Sequence, residues 1–308
     1  MDKQSKIVAV FIPALNEEDK IGECIATLKK TYAGSAARGF VIKTILVDDG
    51  CTDKTVERAQ TAGVDHVTHH PKNLGLGAAT RTGMRTAYEM GAHVAVKLDA
   101  DLQHDPRDIE KCIQPILNDA ADIVWGSRFS GDINYEMPLH RLWGNRLFTW
   151  ILNVLTDYDI SDAQTGLMVF NRNYLSKFQI LANYNPPQQL LIDASAKQMR
   201  YAEVPVQFNA RTTGQSFVTY RYPFKVIVAI LWVLIYANPL RVFVPTGIFL
   251  FSVSCGVAAW NAYEYIAGDV DLLFYNWGTI IFFALIGLQV IFFGFIADMI
   301  ARRTHSDT

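Results

Sequence analysis

Apolar and mixed stretches alternate in a regular order along residues 1–220. Short strand-like runs at 7–12, 41–47, 94–98 and 122–126 read as strands, the apolar 94–98 run as a buried one, and 166–170 and 201–208 look like strands flanking a helix. Stretches near 17–30, 53–62, 76–90, 107–118, 138–155 and 186–199 read as helices. This order predicts an α/β domain built on a mostly parallel sheet, with the last two strands extending it.

After residue 225 the pattern changes, because charges nearly vanish. Residues 242–260 and 277–297 carry no charge, and each approaches the roughly twenty residues needed to cross a bilayer core. Neither shows the recurring polar face of a soluble helix. The intervening 261–276 holds Glu264, Asp269 and Asp271 but no Lys or Arg, whereas Arg241 precedes the first span and Arg302 and Arg303 follow the second. Basic flanks on the same side predict a hairpin with both ends cytoplasmic and the acidic loop outside. Residues 226–240 are uncharged but shorter, and a third crossing would put Arg302 and Arg303 outside. They are expected to lie in the interface, with Arg221 and Lys225 near lipid headgroups.

Composition adds limits. A chain of 308 residues has room for one large domain or two smaller ones, and a net charge of −2 gives no electrostatic reason to expect nucleic acid as a partner. The four cysteines form no CxxC pair and no disulfide framework, which suits a reducing compartment. The polar start leads into an apolar run too short for a secretory signal, so none is expected.

Four segments at strand ends carry candidate chemistry. Pro13-Ala14-Leu15-Asn16-Glu17-Glu18 follows the first strand, and Asn16 is placed to cap a helix. In Asp48-Asp49-Gly50-Cys51-Thr52-Asp53, Asp48 can accept from a ribose hydroxyl or a base N–H, while Asp53 reads as a helix cap. Asn73-Leu74-Gly75-Leu76-Gly77 lets backbone approach a phosphate or sugar, but it is no full dinucleotide fingerprint. Asp99-Ala100-Asp101-Leu102-Gln103 ends the 94–98 strand with two carboxylates one residue apart. Such a pair suits either a solvated turn before a helix opened by Asp105-Pro106 or a site for a hard divalent cation.

Together these segments, continued by Gly126-Ser127-Arg128-Phe129, Asp162-Ala163-Gln164-Thr165-Gly166, Glu203-Val204-Pro205-Val206 and Arg211-Thr212-Thr213-Gly214-Gln215-Ser216, resemble the family 2 glycosyltransferases of GT-A fold. The longer set is similar to the polyprenyl-phosphate branch, which includes the dolichol-phosphate mannose synthases, over about residues 7–217. The resemblance implies that Pro13, Leu15, Glu17 and Asp48 hold the nucleotide's base and ribose. It implies that Asp99, Ala100 and Asp101 contact the diphosphate, and that Asp101 and Gln103 ligate Mg²⁺ or Mn²⁺. Arg128 and Arg141 match positions that receive the lipid phosphate, Asp162 lies near the acceptor pocket, and Arg211 sits on a loop closing over the diphosphate. One departure stands out: Phe217 occupies a position where the family usually has lysine.

The expectation is therefore a cytosolic GT-A domain over 1–220, an interfacial helix over 221–240 and a transmembrane hairpin over 241–303. Its reaction would move a hexose, with inversion, from a GDP- or UDP-linked donor to a dolichyl or undecaprenyl phosphate among the membrane lipids. Asp99, Asp101, Asp162 and Arg128 would carry the chemistry. A lipid phosphate is already anionic, so it needs positioning by arginine rather than a general base. A processive polysaccharide synthase and a non-catalytic membrane scaffold are the alternatives, and homo-oligomer formation is left open. The first would carry a Gln-x-x-Arg-Trp motif, which is not seen.

Overall fold

The computed structural model describes residues 5–128, 146, 149–183, 185–209, 235 and 238–306, and the chain divides into two compact units, Met1–Ala229 and Ile230–Thr308. In the first, the described strands are β1 (Lys6–Ala14), β2 (Phe40–Asp48), β3 (His66–His69), β4 (Val94–Lys97), β5 (Ile123–Ser127), β6 (Met168–Asn171) and β7 (Tyr201–Pro205). They form one sheet in the order β3-β2-β1-β4-β6-β5-β7. Every pairing is parallel except those of β6, which runs antiparallel to β4 and β5. The helices are α1 (Ile21–Thr31), α2 (Thr55–Thr61), α3 (Leu76–Glu89), α4 (Ile109–Leu117), a short α5 (Arg172–Leu175) and α6 (Pro186–Ala196), with 149–155 also helical.

Near-continuous apolar runs form the central strands β1 and β4 because both sheet faces are covered there. Val8, Val10 and Ile12 of β1 join Ile21, Ile25 and Leu28 of α1 and Ile109 and Ile113 of α4 in one buried cluster. Phe11, of opposite parity, packs on α3 at Gly83, where a Cβ would collide with the ring.

The structure departs from the sequence expectation in two places. β3 was not anticipated: His-Val-Thr-His is a polar edge strand with no apolar run to betray it. The helix expected from residue 17 begins at Ile21, because Asn16 takes a left-handed φ of 55° and its Oδ1 accepts from Thr52 N–H instead of capping. Glu17 N–H likewise donates to Thr55 Oγ1 at 2.8 Å, so this turn ties β1 to the start of α2. The first part of the helix expected over 138–155, and most of the interfacial helix expected over 221–240, lie outside the described residues.

The second unit is a pair of helices, α7 (Leu240–Ala267) and α8 (Trp277–Ser306). Both expected spans fall within them. A Cβ on Gly247 would strike Gly287 O and Ile291, so small residues allow a close crossing. Ser254 Oγ donates to Ile280 O at 2.7 Å, which satisfies a hydroxyl that would otherwise face hydrocarbon. Only 11% of each apolar window is buried, unlike the mostly buried core helix of a soluble protein, and this suits a two-pass membrane anchor.

Candidate active site

Strand register brings the sequence-predicted segments to one edge. Ala14 pairs with Asp48, and Asp48 with His69; β4 joins β1 with Phe11 opposite Lys97. Because β6 is antiparallel, with Lys97 opposite Met168, the segment Asp162–Leu167 enters the sheet at that same edge. The carboxyl ends of parallel strands are where open α/β sheets bind ligands. A cleft of about 390 Å³ lies there. Pro13, Leu15 and Glu17 line it from the β1 exit, Asn73, Gly75 and Leu76 from the loop into α3, and Asp99, Ala100 and Asp101 from the β4 exit.

The two acids ending β2 divide their roles. Asp48 accepts from Cys51 N–H at 2.7 Å and pairs with His69 Nδ1 at 2.8 Å, and it is not part of the cleft lining. Burial alone would raise its carboxyl, but these hydrogen bonds outweigh that and hold it below the usual range. Asp49, which sequence reasoning passed over, does line the cleft. Its oxygens accept from Leu74 N–H and Gly75 N–H, each at 2.9 Å, and meet His70 Nδ1 at 2.7 Å. Asp49 thereby fixes the loop whose Gly75, at φ 96°, opens α3. Asp53 does not cap α2 as expected, since Lys54 holds the cap position with no side-chain bond; Asp53 lies one residue earlier and accepts from Thr55 N–H at 2.9 Å and Glu18 N–H at 3.2 Å.

At the β4 exit, Lys97 is buried and its Nζ pairs with Asp99 Oδ1. Residues two apart on an extended chain face the same side, so this pairing is local. Leu102 adopts a left-handed φ of 59°, and the turn lets Asp101 Oδ1 accept from Gln103 N–H at 3.1 Å. Asp105 accepts from Arg107 N–H and caps the short turn of helix that follows. His104 is buried, and burial pushes its ring down to about 4. Its Nε2 accepts from Gly166 N–H at 3.1 Å. Gly166 itself lies so close to Asp99 that a Cβ would collide with the carboxylate.

On the other flank, Arg128 and fully buried Asp162 form a two-pronged ion pair, Nε to Oδ2 at 2.6 Å and Nη2 to Oδ1 at 2.8 Å. The Arg128 guanidinium also stands 5.0 Å over the Phe208 ring. The structure thus brings together Asp99, Asp101, Gln103, Asp162 and Arg128. Arg141, Arg211 and Phe217, with Arg221 and Lys225, lie outside the described residues.

Among the described residues, no group of three or more His, Cys, Asp or Glu side chains gathers into a ready-made metal cage. Asp101 offers one carboxylate, and Gln103, whose Nε2 donates to Asn209 O at 3.3 Å, offers an amide oxygen. That donor set fits Mg²⁺ or Mn²⁺, which is commonly held by one or two carboxylates with substrate phosphates completing the shell.

Comparisons with known proteins agree with this fold. Residues 9–178 match the family model for glycosyl transferase family 2, and residues 238–302 match that of the GtrB C-terminal hairpin. A UDP-N-acetylglucosamine–dolichyl-phosphate N-acetylglucosaminyltransferase of Methanococcus voltae is 34% identical, covering 66% of this chain and 85% of the relative. A dodecaprenyl-phosphate galacturonate synthase of Rhizobium johnstonii is 25% identical over 99% of this chain and 90% of its own length. Among solved structures, glucosyl-3-phosphoglycerate synthase from Mycobacterium tuberculosis, in complex with Mn²⁺, uridine diphosphate and phosphoglyceric acid, superposes with a TM-score of 0.58 at 20% identity. That match covers 75% of this chain and 79% of that one.

Proposed function

The chain belongs to glycosyltransferase family 2 and is related to the polyprenyl-phosphate sugar transferases; from that premise we propose that it moves a hexose from a nucleotide-diphosphate sugar to a polyprenyl phosphate at the cytosolic membrane face. The observation that carries this reading is the cleft at the sheet's carboxyl edge, lined by both Asp99 and Asp101, in a chain that also holds an apolar hairpin. The relatives' acceptors, dolichyl, dodecaprenyl and undecaprenyl phosphates, share one chemistry, an anionic phosphate on a long lipid.

In this reading Pro13, Leu15 and Glu17 contact the nucleoside, with Asp49 ordering the loop opposite, and Asp48 acts from behind. Asp99, held by Lys97, and Ala100 position the diphosphate and sugar, and Arg211 closes over it. Asp101 and Gln103 would hold Mg²⁺ or Mn²⁺, which when bound supplies positive charge where the leaving diphosphate gains negative charge. Asp162 fixes the plane of the Arg128 guanidinium, and Arg128 with Arg141 receives the lipid phosphate. An acceptor already ionised needs no general base, so neither Asp99 nor Asp101 removes a proton. The acceptor oxygen attacks the anomeric carbon directly, and the configuration inverts. The basic flanks of the hairpin support a topology with both termini and the catalytic unit on the cytoplasmic side.

The detergent-solubilised chain, given polyprenyl phosphate and a panel of GDP- and UDP-sugars, is expected to yield one glycosyl-phospholipid with inverted anomeric configuration, read by mass spectrometry and NMR. Retention of configuration would refute the direct displacement.

A further inference from the structure

Two groups that the reaction must hold in register arrive on different parts of the chain. Asp99, Asp101 and Gln103 follow β4, whereas Arg128 follows β5 and Asp162 precedes β6. Between them stands His104, 2% exposed. One edge of its ring accepts from Gly166 N–H at 3.1 Å, so the proton of the neutral ring is on Nδ1. Nδ1 is buried and has no hydrogen-bond partner among the described residues, so the Gly166 bond is the polar contact that fixes the ring.

The other contact of His104 is Phe208, 5% exposed, in an edge-to-face pair with centroids 4.9 Å apart. Backbone bridging joins the same two residues, and Gln103 and Asn209 add a reciprocal pair: Asn209 N–H to Gln103 O at 2.8 Å and Gln103 Nε2 to Asn209 O at 3.3 Å. Phe208 in turn lies under the Arg128 guanidinium, which Asp162 grips from the side. An unbroken series of contacts thus runs from Asp99, against Gly166, through His104 and Phe208 to Arg128.

We infer that His104 and Phe208 form a brace that sets the spacing between the donor-holding acids and the Arg128–Asp162 pair, making both of them positioning residues for sugar transfer. The inference rests on the function proposed above. Neither residue needs to touch either substrate. The brace acts on the alignment of the acceptor phosphate with the anomeric carbon, a geometry to which transfer rates are steeply sensitive.

The test is steady-state kinetics on the full chain in lipid nanodiscs, with both substrates varied and thermal unfolding recorded for each variant. His104→Leu and Phe208→Leu are each expected to lower kcat by about 10- to 100-fold, with KM for donor and lipid within about 3-fold of wild type. His104→Gln, whose amide oxygen can accept from Gly166 N–H, is expected to recover most of the loss. Because the two rings act as a unit, the double Leu variant should be no slower than the slower single one. Equal losses in the Gln and Leu variants, a rise in KM with kcat unchanged, or effects that multiply in the double variant would overturn the brace. Should His104→Leu not fold, the Gln variant and Phe208→Leu decide by the same kcat-to-KM split. A wild-type chain that transfers no sugar overturns the functional reading, and the brace with it. Active wild type with active Leu variants overturns the brace alone.

Discussion

Gly166 has no room for a methyl group, since a Cβ there would collide with the Asp99 carboxylate and crowd the His104 ring. Gly166→Ala is therefore expected to displace Asp99 and lower kcat by about 10- to 100-fold, while the thermal midpoint of the catalytic unit moves by only a few degrees. Activity assays and melting curves on the same preparation check both halves. The spacing of Asp99 and Asp101 was visible in the sequence, whereas the cap expected of Asp53 falls to Lys54, one residue on. The Lys97 pairing was also within reach, because its partner is two residues along an extended chain. Asp48 and Asp49 could not be told apart, because only the fold shows which of them borders the cleft. The partnership of Arg128 with Asp162 joins residues 34 apart in the sequence, and no local pattern encodes it.

Strands and helices were readable wherever burial left an apolar run. They were missed or misplaced where side chains took over the backbone's hydrogen bonds. Asn16 and Glu17 are spent on Thr52 and Thr55, so α1 starts later than its composition implies. The insertion of β6 between β4 and β5 was likewise hidden, since a short apolar run does not reveal its direction or its neighbours. The edge strand β3 is held in part by Asp65, which precedes it. Asp65 Oδ2 accepts from Thr44 N–H and Thr44 Oγ1, both at 2.8 Å, and pairs with Lys29 at 2.7 Å. Burial would raise this carboxyl, but Lys29 and Thr44 outweigh it and hold it at about 2. A carboxyl depressed on folding contributes stability above its unfolded value near pH 4, and that contribution is lost as pH falls through 2. Asp65→Asn should cost about 1 kcal/mol at neutral pH, discounting for solvent on its open side, and should flatten the fall in stability between pH 4 and pH 2. Melting curves at stepped pH for both proteins measure this.

The chain as a whole joins two units with different solvents: one carries a polar cleft, and the other is an apolar hairpin with most of its surface exposed. The distribution of charge points to this division, because a helix apolar on every side either lies buried in a core or crosses a bilayer, and two such runs of this length follow residue 240. With Arg241 before the first span and Arg302 and Arg303 after the second, both termini are expected on the cytoplasmic face. A single cysteine added after Thr308 should resist a membrane-impermeant maleimide in intact cells and react in inverted vesicles, whereas one placed in the 268–276 connection should behave the opposite way. The same reaction at both sites in intact cells would exclude the hairpin topology. The reaction itself is decided by incubating membranes that contain the wild-type chain or Asp101→Ala with labelled nucleotide-sugars and polyprenyl phosphate, with and without Mn²⁺. Label is expected to enter the lipid extract only with wild type and cation, and to fall by about 100-fold or more in Asp101→Ala. Undiminished lipid labelling by Asp101→Ala, or label gathering in polymer instead of lipid, would contradict it.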